Sequence, residues 1–155
     1  MKFINVIFIF CLLVLTGCGF KVIDPNSLEK YKFSEIQISG DDKVVYLFKN
    51  YLKAGNNNAP NSIKLKVDTK KTKQISEKNI QNEVTKYKIT INAEVNYYDI
   101  NQNKSEKFSI TKEGDYDVST RYNTTLNNEK TLIKNLIKNI SDQILKNLLL
   151  RLNDN

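Results

Sequence analysis

The chain lacks the residues on which most enzymatic chemistry in proteins depends. Its 155 residues include no histidine and only two cysteines. Without histidine there is no usual general base near neutral pH, and Ser-His-Asp triads and Cys-His pairs are excluded. No cluster of side chains has the ligand spacing of a zinc site, and no glycine-rich loop precedes a helix as phosphate cradles require. The sequence therefore predicts a protein that is not an enzyme and that holds no metal and no cofactor.

Negative charge is also scarce relative to positive charge. Lysine and arginine total 24 against 17 aspartate and glutamate residues, a net charge of +7, in a length that suggests one domain. Such a balance favours anionic partners, which include phosphorylated lipid, nucleic acid and acidic proteins. The chain is also rich in lysine, asparagine and isoleucine, as AT-rich coding produces, so its charge alone does not establish a function.

A long stretch without charge lies at the N-terminus. Lys2 is followed by an uncharged and largely apolar stretch from Phe3 to Leu15 and then by the small residues Thr16 and Gly17. This stretch of thirteen residues spans about 20 Å as a helix, whereas the hydrocarbon core of a membrane is about 30 Å thick. The stretch is therefore typical of a secretory signal peptide and too short for a transmembrane helix.

A cysteine stands where this apolar stretch ends. Leu15-Thr16-Gly17-Cys18 resembles the bacterial lipobox, in which the cysteine thiol is joined to diacylglycerol and the signal is cut just before it. The resemblance implies that residues 1–17 are a lipoprotein signal peptide and that Cys18 is the lipid-attachment site, with acyl chains such as palmitate as the membrane anchor. Cys11 leaves with the signal, so the mature chain has no free thiol and no disulfide. Gly19, in place of aspartate, implies export to the outer membrane, where nucleic acid is not an expected partner.

Hydrophobic periodicity predicts one folded domain over residues 31–155, joined to the lipid site by a polar tether over residues 18–30. Alternation of apolar and polar residues predicts strands, and apolar stripes that repeat every three or four residues predict helices. The predicted strands are 31–38, 63–68, 84–99 and about 105–118, and the predicted helices run from the Ser39–Asp42 turn to about 53 and over 128–152. The last helix is expected to begin at Asn127 or Asn128, with Glu129 in its first turn. The polar segment 69–83 fits either a long hairpin connection or an extension of both strands.

The resulting order, β-α-β-β-β-α, predicts an α+β fold with two layers. A helix between the first two strands is a crossover, so those strands can lie parallel, while the last three can form a meander. One apolar face per strand and one stripe per helix place both helices on one face of a four-stranded mixed sheet. The apolar stripe of the last helix drifts beyond Ile144, and Leu150 falls outside it. This drift fits either packing around the sheet edge or an apolar surface for a partner.

The other face of the predicted sheet is left exposed, and lysines lie along it. Four of them alternate with core residues on the second and third strands: Lys64, Lys66, Lys86 and Lys88. Ammonium groups about 5 Å apart across strands are expected to form a row that suits lipid phosphates. Further positive charge is expected nearby from Lys107, Lys112 and Arg121, although Lys112 shares its phase with the core residues. A lysine-rich face that is merely solvated is the alternative interpretation.

Beyond the lipobox, the whole mature chain resembles the LptE family of lipopolysaccharide-assembly lipoproteins. The resemblance rests on the start Cys18-Gly19-Phe20-Lys21, the strand FSEIQIS, the helix VVYLFKNYL, the tyrosine-rich strand YKITINAEVNYYDI and the segment YDVSTRYNT that leads into the final helix. Only the lipobox is a sharp motif, and many family members carry arginine where this chain has lysine.

The resemblance implies a lipid-anchored protein on the periplasmic side of the cell outer membrane that assists lipopolysaccharide transport and assembly. LptE-like proteins act as plug and assembly factor for the LptD β-barrel and contact lipopolysaccharide, so an LptD-like barrel and lipopolysaccharide are the expected partners. The seven basic residues named above then become candidate lipopolysaccharide-binding residues. The sequence leaves open a lipoprotein pilot or accessory subunit of another envelope machine, such as a secretin or the barrel-assembly complex, and also a small periplasmic lipid carrier.

Overall fold

The computed structural model describes residues 31–52 and 59–153, the last of these by its backbone alone. The predicted signal peptide, the Cys18 lipid site and the tether lie outside the described residues. Six elements follow one another along the chain: β1 (Tyr31–Ser39), α1 (Asp42–Tyr51), β2 (Asn61–Lys78), β3 (Val84–Asp99), β4 (Lys104–Asp117) and α2 (Tyr122–Asn153). The predicted order of strands and helices is confirmed.

The four strands form one mixed sheet in the order β1-β2-β3-β4. β1 pairs with β2 in parallel because α1 carries the chain back along the sheet between them, and the other two pairs are antiparallel. Side chains of α1, α2 and one face of the sheet belong to a single buried cluster, so both helices cover the same face. The predicted two-layer α+β architecture is therefore confirmed.

The core fills the space between the sheet and the two helices. Val44 and Phe48 lie one helical turn apart in α1, and both are fully buried. In α2, Ile137, Ile140 and Ile144 recur every three or four residues and are also fully buried. β3 contributes every second residue, which is the period of a strand with one covered face: Ile89, Ile91, Ala93, Val95 and Tyr97. Removing this apolar surface from water, at about 25 cal/mol per Å², is the main favourable term in folding.

The residues of β1 that face the core change from odd-numbered to even-numbered partway along the strand. The register with β2 shifts between Phe33 and Glu35, and the hydroxyl of the intervening Ser34 donates to the carbonyl of Ile63 at 3.2 Å. Phe33 packs against the core before this bulge, and Ile38 does so after it. The bulge lets both ends of a short strand contribute to the core.

The polar segment 69–83 is an extension of both strands. β2 continues to Lys78 and β3 begins at Val84, with register shifts only beyond Ile75. The side-chain oxygen of Asn79 closes the turn by accepting hydrogen bonds from the backbone N–H groups of Gln81 at 3.0 Å and Glu83 at 2.9 Å. This end of the hairpin is solvated, and for that reason its sequence carries no apolar alternation.

α2 begins at Tyr122, six residues before the predicted start at 128, so that prediction was wrong. Residues 122–127 lack the apolar stripe that marks the rest of the helix. Thr125 anchors the first turn instead: its hydroxyl accepts from the Ser119 N–H at 2.8 Å and donates to the Ser119 carbonyl at 3.2 Å. Glu129 lies one turn further on and bonds to side chains of the sheet, not to the helix terminus.

The leucines beyond Ile144 pack against the core. Leu148 and Leu152 belong to the buried cluster, Leu149 is buried, and Leu150 is half-buried. The hydroxyl of Tyr31 donates to the carbonyl of Leu152 at 3.4 Å, which ties the end of α2 to the start of β1. The drift of the apolar stripe therefore reflects packing around the sheet, and the hypothesis of an apolar partner surface there is wrong.

Candidate functional site

Among the residues that the structure describes, no helix covers one face of the sheet, and we call it the open face. Alternate residues of each strand line it, and in β3 these are the even-numbered residues from Lys86 to Tyr98. Small polar side chains occupy its centre, where the amide of Asn92 donates to Ser109 at 3.0 Å and to Thr111 at 2.7 Å. The charged residues lie mainly towards the two ends of this flat polar surface.

The four lysines predicted on the second and third strands do project from the open face, but each forms an ion pair. The Nζ to carboxylate distances are 3.6 Å for Lys64 and Glu35, 3.5 Å for Lys66 and Asp68, 2.6 Å for Lys86 and Glu77, and 3.3 Å for Lys88 and Glu113. The open face therefore carries both signs of charge, whereas the lysines considered alone predicted a basic surface. The hydrogen bond that Lys86 donates to Glu77 raises the pKa of Lys86, which stays charged at neutral pH.

The strand register divides these lysines into two groups at opposite ends of the sheet. Lys66 and Lys107 flank Asn96, and Lys64 lies two residues from Lys66; we call these three lysines the Lys66 group. Lys86 and Lys88 form the Lys88 group, and Lys88, the nearer of the two, is eight residues from Asn96 along β3, or about 27 Å away. The expected single row with a spacing of about 5 Å is therefore wrong, because the antiparallel hairpin sets the start of β2 beside the end of β3.

The Lys66 group borders two neighbouring depressions in the open face. One has a volume of about 340 Å³ and is lined by Glu94, Asn96, Lys107 and Ser109, and the other, of about 200 Å³, is lined by Lys64, Lys66, Asn96 and Tyr98. Lys107 forms no ion pair within the described part of the chain. Its ammonium group is thus available to an anionic ligand without loss of an internal contact.

Lys112 and Arg121 join neither group. Lys112 pairs with Ile91 and points to the helix side of the sheet, as the phase of its neighbours Ile110 and Tyr116 requires. The structure therefore removes Lys112 from the open face. Arg121 lies four residues beyond Asp117, the residue that pairs with Lys86, and its carbonyl accepts the Thr124 N–H at 3.0 Å at the start of α2.

On the helix side, Glu106 of β4 joins the sheet to the last turn of α2. Its carboxylate lies 2.8 Å from Lys104 and 2.9 Å from Arg151. Hydrogen bonds from Lys104, Arg151 and Tyr97 lower the pKa of Glu106 to about 2. Burial, together with the bond to Glu106, raises the pKa of Tyr97 to about 12. Both groups therefore keep one charge state near neutral pH and act as a structural clamp.

A second clamp joins the far half of the sheet to the N-terminal half of α2. Glu129 accepts hydrogen bonds from Lys73 and from the hydroxyl of Tyr116, both at 2.8 Å. Burial opposes ionisation of Glu129, but these two bonds outweigh it and lower the pKa of the carboxyl group. The Nζ of Lys73 also lies 4.4 Å from the ring centroid of Tyr87, a cation–π distance. Lys73 is thus occupied within the fold.

α2 carries a row of basic residues that was not predicted from the sequence. Lys130, Lys134 and Lys138 recur every four residues and are exposed, and among the described residues none of them forms an ion pair. Their spacing outside the apolar stripe was the available signal. They show that unneutralised positive charge lies on the helix layer as well as at Lys107.

Neither a metal site nor a membrane-spanning helix is found in the described residues. Within 31–52 and 59–153, no group of three or more acidic, histidine or cysteine side chains is placed to hold a metal ion. In the same part of the chain, no helix has the length and apolar character that crossing a membrane requires.

Comparison with solved structures identifies proteins of the same fold. Rare lipoprotein B from Shewanella oneidensis is similar with a TM-score of 0.55 and 16% identity, over 74% of this chain and 92% of that one. A predicted lipoprotein from Caulobacter crescentus CB15 has a TM-score of 0.56 and 11% identity, over 83% and 94% of the two chains. At these identities the likeness shows the fold alone. No curated protein matches the sequence.

The family model provides the sharper result. The model of the lipopolysaccharide-assembly family LptE matches residues 33–148, which run from β1 into the last turns of α2. The match covers well over half of the chain and confirms the resemblance noted in the sequence. The chain therefore belongs to the LptE family of lipopolysaccharide-assembly proteins.

Proposed function

We propose that this protein is a lipid-anchored plug and assembly factor for an LptD-like β-barrel, on the periplasmic side of the outer membrane. The observation that carries the proposal is the family match over residues 33–148. The role requires binding surfaces and no catalytic groups, in keeping with a chain that contains no histidine. Lipidation of Cys18, expected from the lipobox, supplies the anchor, since two or more acyl chains hold a protein stably on a membrane.

The character of the exposed surface supports the plug. The lumen of a large membrane β-barrel is polar, so a protein that fills it needs hydrogen-bonding groups on its surface. The open face supplies them through Asn92, Ser109 and Thr111, with paired charges at its ends. Large apolar side chains that are exposed in the described part are scattered over several elements: Tyr46, Ile75, Ile80, Ile100 and Tyr122.

We assign the lipopolysaccharide contact to the Lys66 group. Lipopolysaccharide carries phosphates on its lipid A and inner core, and Lys107 offers a free ammonium group beside a depression that a phosphate can enter. The side chains of Lys64 and Lys66 are 54% and 56% exposed, and their carboxylate partners lie at 3.6 and 3.5 Å. Exposed pairs of this kind contribute about 0–1 kcal/mol, so a phosphate can replace the carboxylate. In this proposal Lys86, Lys88 and Arg121 form a secondary region of mixed charge, because Glu77, Glu113, Asp115 and Asp117 lie at the same end of the sheet, and Lys112 takes no part.

Lipopolysaccharide binding by charge variants tests the assignment. The triple replacement Lys64→Gln, Lys66→Gln and Lys107→Gln should weaken binding at low salt by roughly tenfold or more, because it removes the ammonium groups of one site. The melting temperature should change little, since exposed ion pairs contribute little to stability. Wild-type binding should also fall as salt is raised towards 0.15 M, where charges are screened beyond about 8 Å.

A matched control comes from the other layer. Lys130→Gln, Lys134→Gln and Lys138→Gln removes the same amount of charge from α2 and should leave binding near the wild-type value. The double variant Lys86→Gln and Lys88→Gln tests the secondary region and should have the smaller effect of the two open-face changes. Loss of binding in the α2 variant, with normal binding in the Lys66-group variant, would show that the contact lies on the helix layer.

A further inference from the structure

β4 is an edge strand whose outer side is open along most of its length. In the described part of the chain its only neighbour in the sheet is β3. The Val118 N–H donates to the Thr85 carbonyl, the residue directly opposite it in the register. In an antiparallel pair, hydrogen-bonded and non-hydrogen-bonded residues alternate along each strand. The even-numbered residues of β4 therefore bond to β3, and the odd-numbered residues direct their N–H and C=O groups outward. The outward carbonyl of Asp117 accepts the side-chain amide of Asn128 at 3.0 Å. From residue 105 to residue 115, no other described element pairs with this side.

On the open-face side of β4, positive and negative side chains lie in different halves of the strand. On the open-face side the first half of β4 carries Lys107, and the second half carries Glu113, Asp115 and Asp117. Lys107 and Asp115 form no ion pair within the described residues, whereas the four strand lysines and Glu113 do. An open edge is a template for another strand, and β4 contains no proline to prevent pairing. When two copies of such a strand lie antiparallel, the positive half of each lies beside the negative half of the other.

We propose that two copies of this chain pair antiparallel through β4, with Thr111 of one copy opposite Thr111 of the other. The pairing joins the two sheets into a continuous sheet of eight strands about a two-fold axis. Lys107 of each copy then lies opposite Asp115 of the other, so opposite charges face each other twice across the joint. Registers centred on Lys107 or on Glu113 set like charges opposite each other and are disfavoured.

The helix side of β4 fits the same register. Phe108 of one copy lies opposite Gly114 of the other, and Gly114 has no side chain that could clash with the ring. Beside that edge lies a groove of about 310 Å³ between β4 and α2, lined in part by Tyr116, Leu132 and Asn135. Leu132 lies directly against Gly114, where an added Cβ would meet it at 2.8 Å. The inference does not depend on the proposed function, because it concerns protein that is not bound to a barrel.

Cysteine cross-linking of the full-length protein, produced in its own membrane in excess over any barrel partner, tests the pairing. Cys11 lies in the predicted signal peptide and Cys18 is the predicted lipid site, so an added cysteine is the only thiol of the mature chain. Thr111→Cys should give a disulfide-linked dimer under mild oxidation, because residues directly opposite across strands lie within the Cα separation that a disulfide spans, about 4.4–6.8 Å. Ser109→Cys is the matched control. In this register the two Ser109 positions are four residues apart along the strands, about 14 Å, and should not cross-link.

Charge reversal gives a second readout on the Thr111→Cys background. Lys107→Asp sets like charges opposite each other twice and should reduce the cross-linked fraction several-fold. Adding Asp115→Lys restores opposite charges and should restore the cross-link, a recovery that a merely misfolded variant would not show. Cross-linking at Ser109→Cys as strong as at Thr111→Cys, or a cross-link to a different protein in place of a second copy, would overturn the proposal.

Discussion

At the scale of single residues, Glu106 links the edge strand to the end of α2. Hydrogen bonds from Lys104, Arg151 and Tyr97 hold its pKa at about 2, below the ordinary value of 4.5. A carboxyl group whose pKa is lowered by folding stabilises the folded state above its unfolded pKa. That stabilisation is lost as the pH falls from about 4.5 through about 2.

Glu106→Gln should therefore lower the free energy of unfolding at neutral pH and remove part of its acid dependence. The glutamine cannot carry the charge that attracts Lys104 and Arg151, so the difference from wild type should be largest at pH 6 and should shrink towards pH 2. Denaturant unfolding at several pH values measures it. A difference that is the same at pH 6 and at pH 2 would contradict the assigned role of the carboxylate.

The face of the sheet on which a residue lies was predictable from the sequence where it depends only on alternation along one strand. The phase of Lys112 against its apolar neighbours already indicated the helix side, and the structure puts it there. The acidic partners of Lys64 and Lys86 were not predictable, because Glu35 lies on a strand that pairs in parallel after a bulge and Glu77 lies beside a register shift. Such pairs depend on register between strands, which alternation within one strand does not contain.

At the scale of elements, the passage from β1 to α1 depends on one glycine. Gly40 has φ of +133°, and a Cβ built there would lie 2.1 Å from the Thr69 hydroxyl and 2.7 Å from the Thr69 carbonyl. The next residue, Asp41, caps α1 by accepting the N–H groups of Lys43 and Val44 at 3.1 and 3.3 Å. The Ser39–Asp42 turn and cap predicted from the sequence are confirmed.

Gly40→Ala should destabilise the protein by about 1–3 kcal/mol from backbone strain, with a further loss from the contact with the Thr69 carbonyl. Gly114→Ala is the matched control, since its Cβ would meet only the flexible end of Leu132. Thermal unfolding of both variants compares them. Equal melting temperatures of the two variants would contradict this prediction, because they would mean that the connection between β1 and α1 accepts a side chain at residue 40 without strain.

The boundaries of elements were less predictable than their order. The alternation of apolar and polar residues from Val84 to Asp99 predicted both ends of β3 correctly, because the apolar face of this strand is buried along most of its length. The outer parts of β2 and the first turns of α2 carry no such pattern. They are held by contacts from elsewhere, such as Lys73 to Glu129 and Ser119 to Thr125, which local periodicity does not record.

At the scale of the whole molecule, one layer of helices covers one face of the sheet and the other face is left polar. The fold and the family were predictable because periodicity, the crossover and the lipobox all lie in the sequence itself. The two-group arrangement of the lysines was not, since it follows from pairing between distant residues. The central claim, a lipid-anchored partner of a membrane barrel, rests on the family match and on the predicted anchor.

Mass spectrometry of the mature protein tests the anchor. Cys18 should be the N-terminal residue and should carry acyl chains, because it ends a lipobox at the close of the apolar stretch. Cys18→Ala should leave the domain folded but release it from the membrane fraction. An intact Met1 terminus, or an unmodified thiol at Cys18, would contradict the lipoprotein assignment.

Purification of the tagged full-length lipoprotein from detergent-solubilised outer membrane tests the central claim most directly. A large LptD-like β-barrel protein should elute with it in equal amount, and depletion of the lipoprotein should impair maturation of that barrel. A buried plug should also keep the barrel bound through a high-salt wash, since the contact is not confined to exposed charges. Elution with a secretin or with the barrel-assembly complex, or normal barrel maturation after depletion, would contradict it.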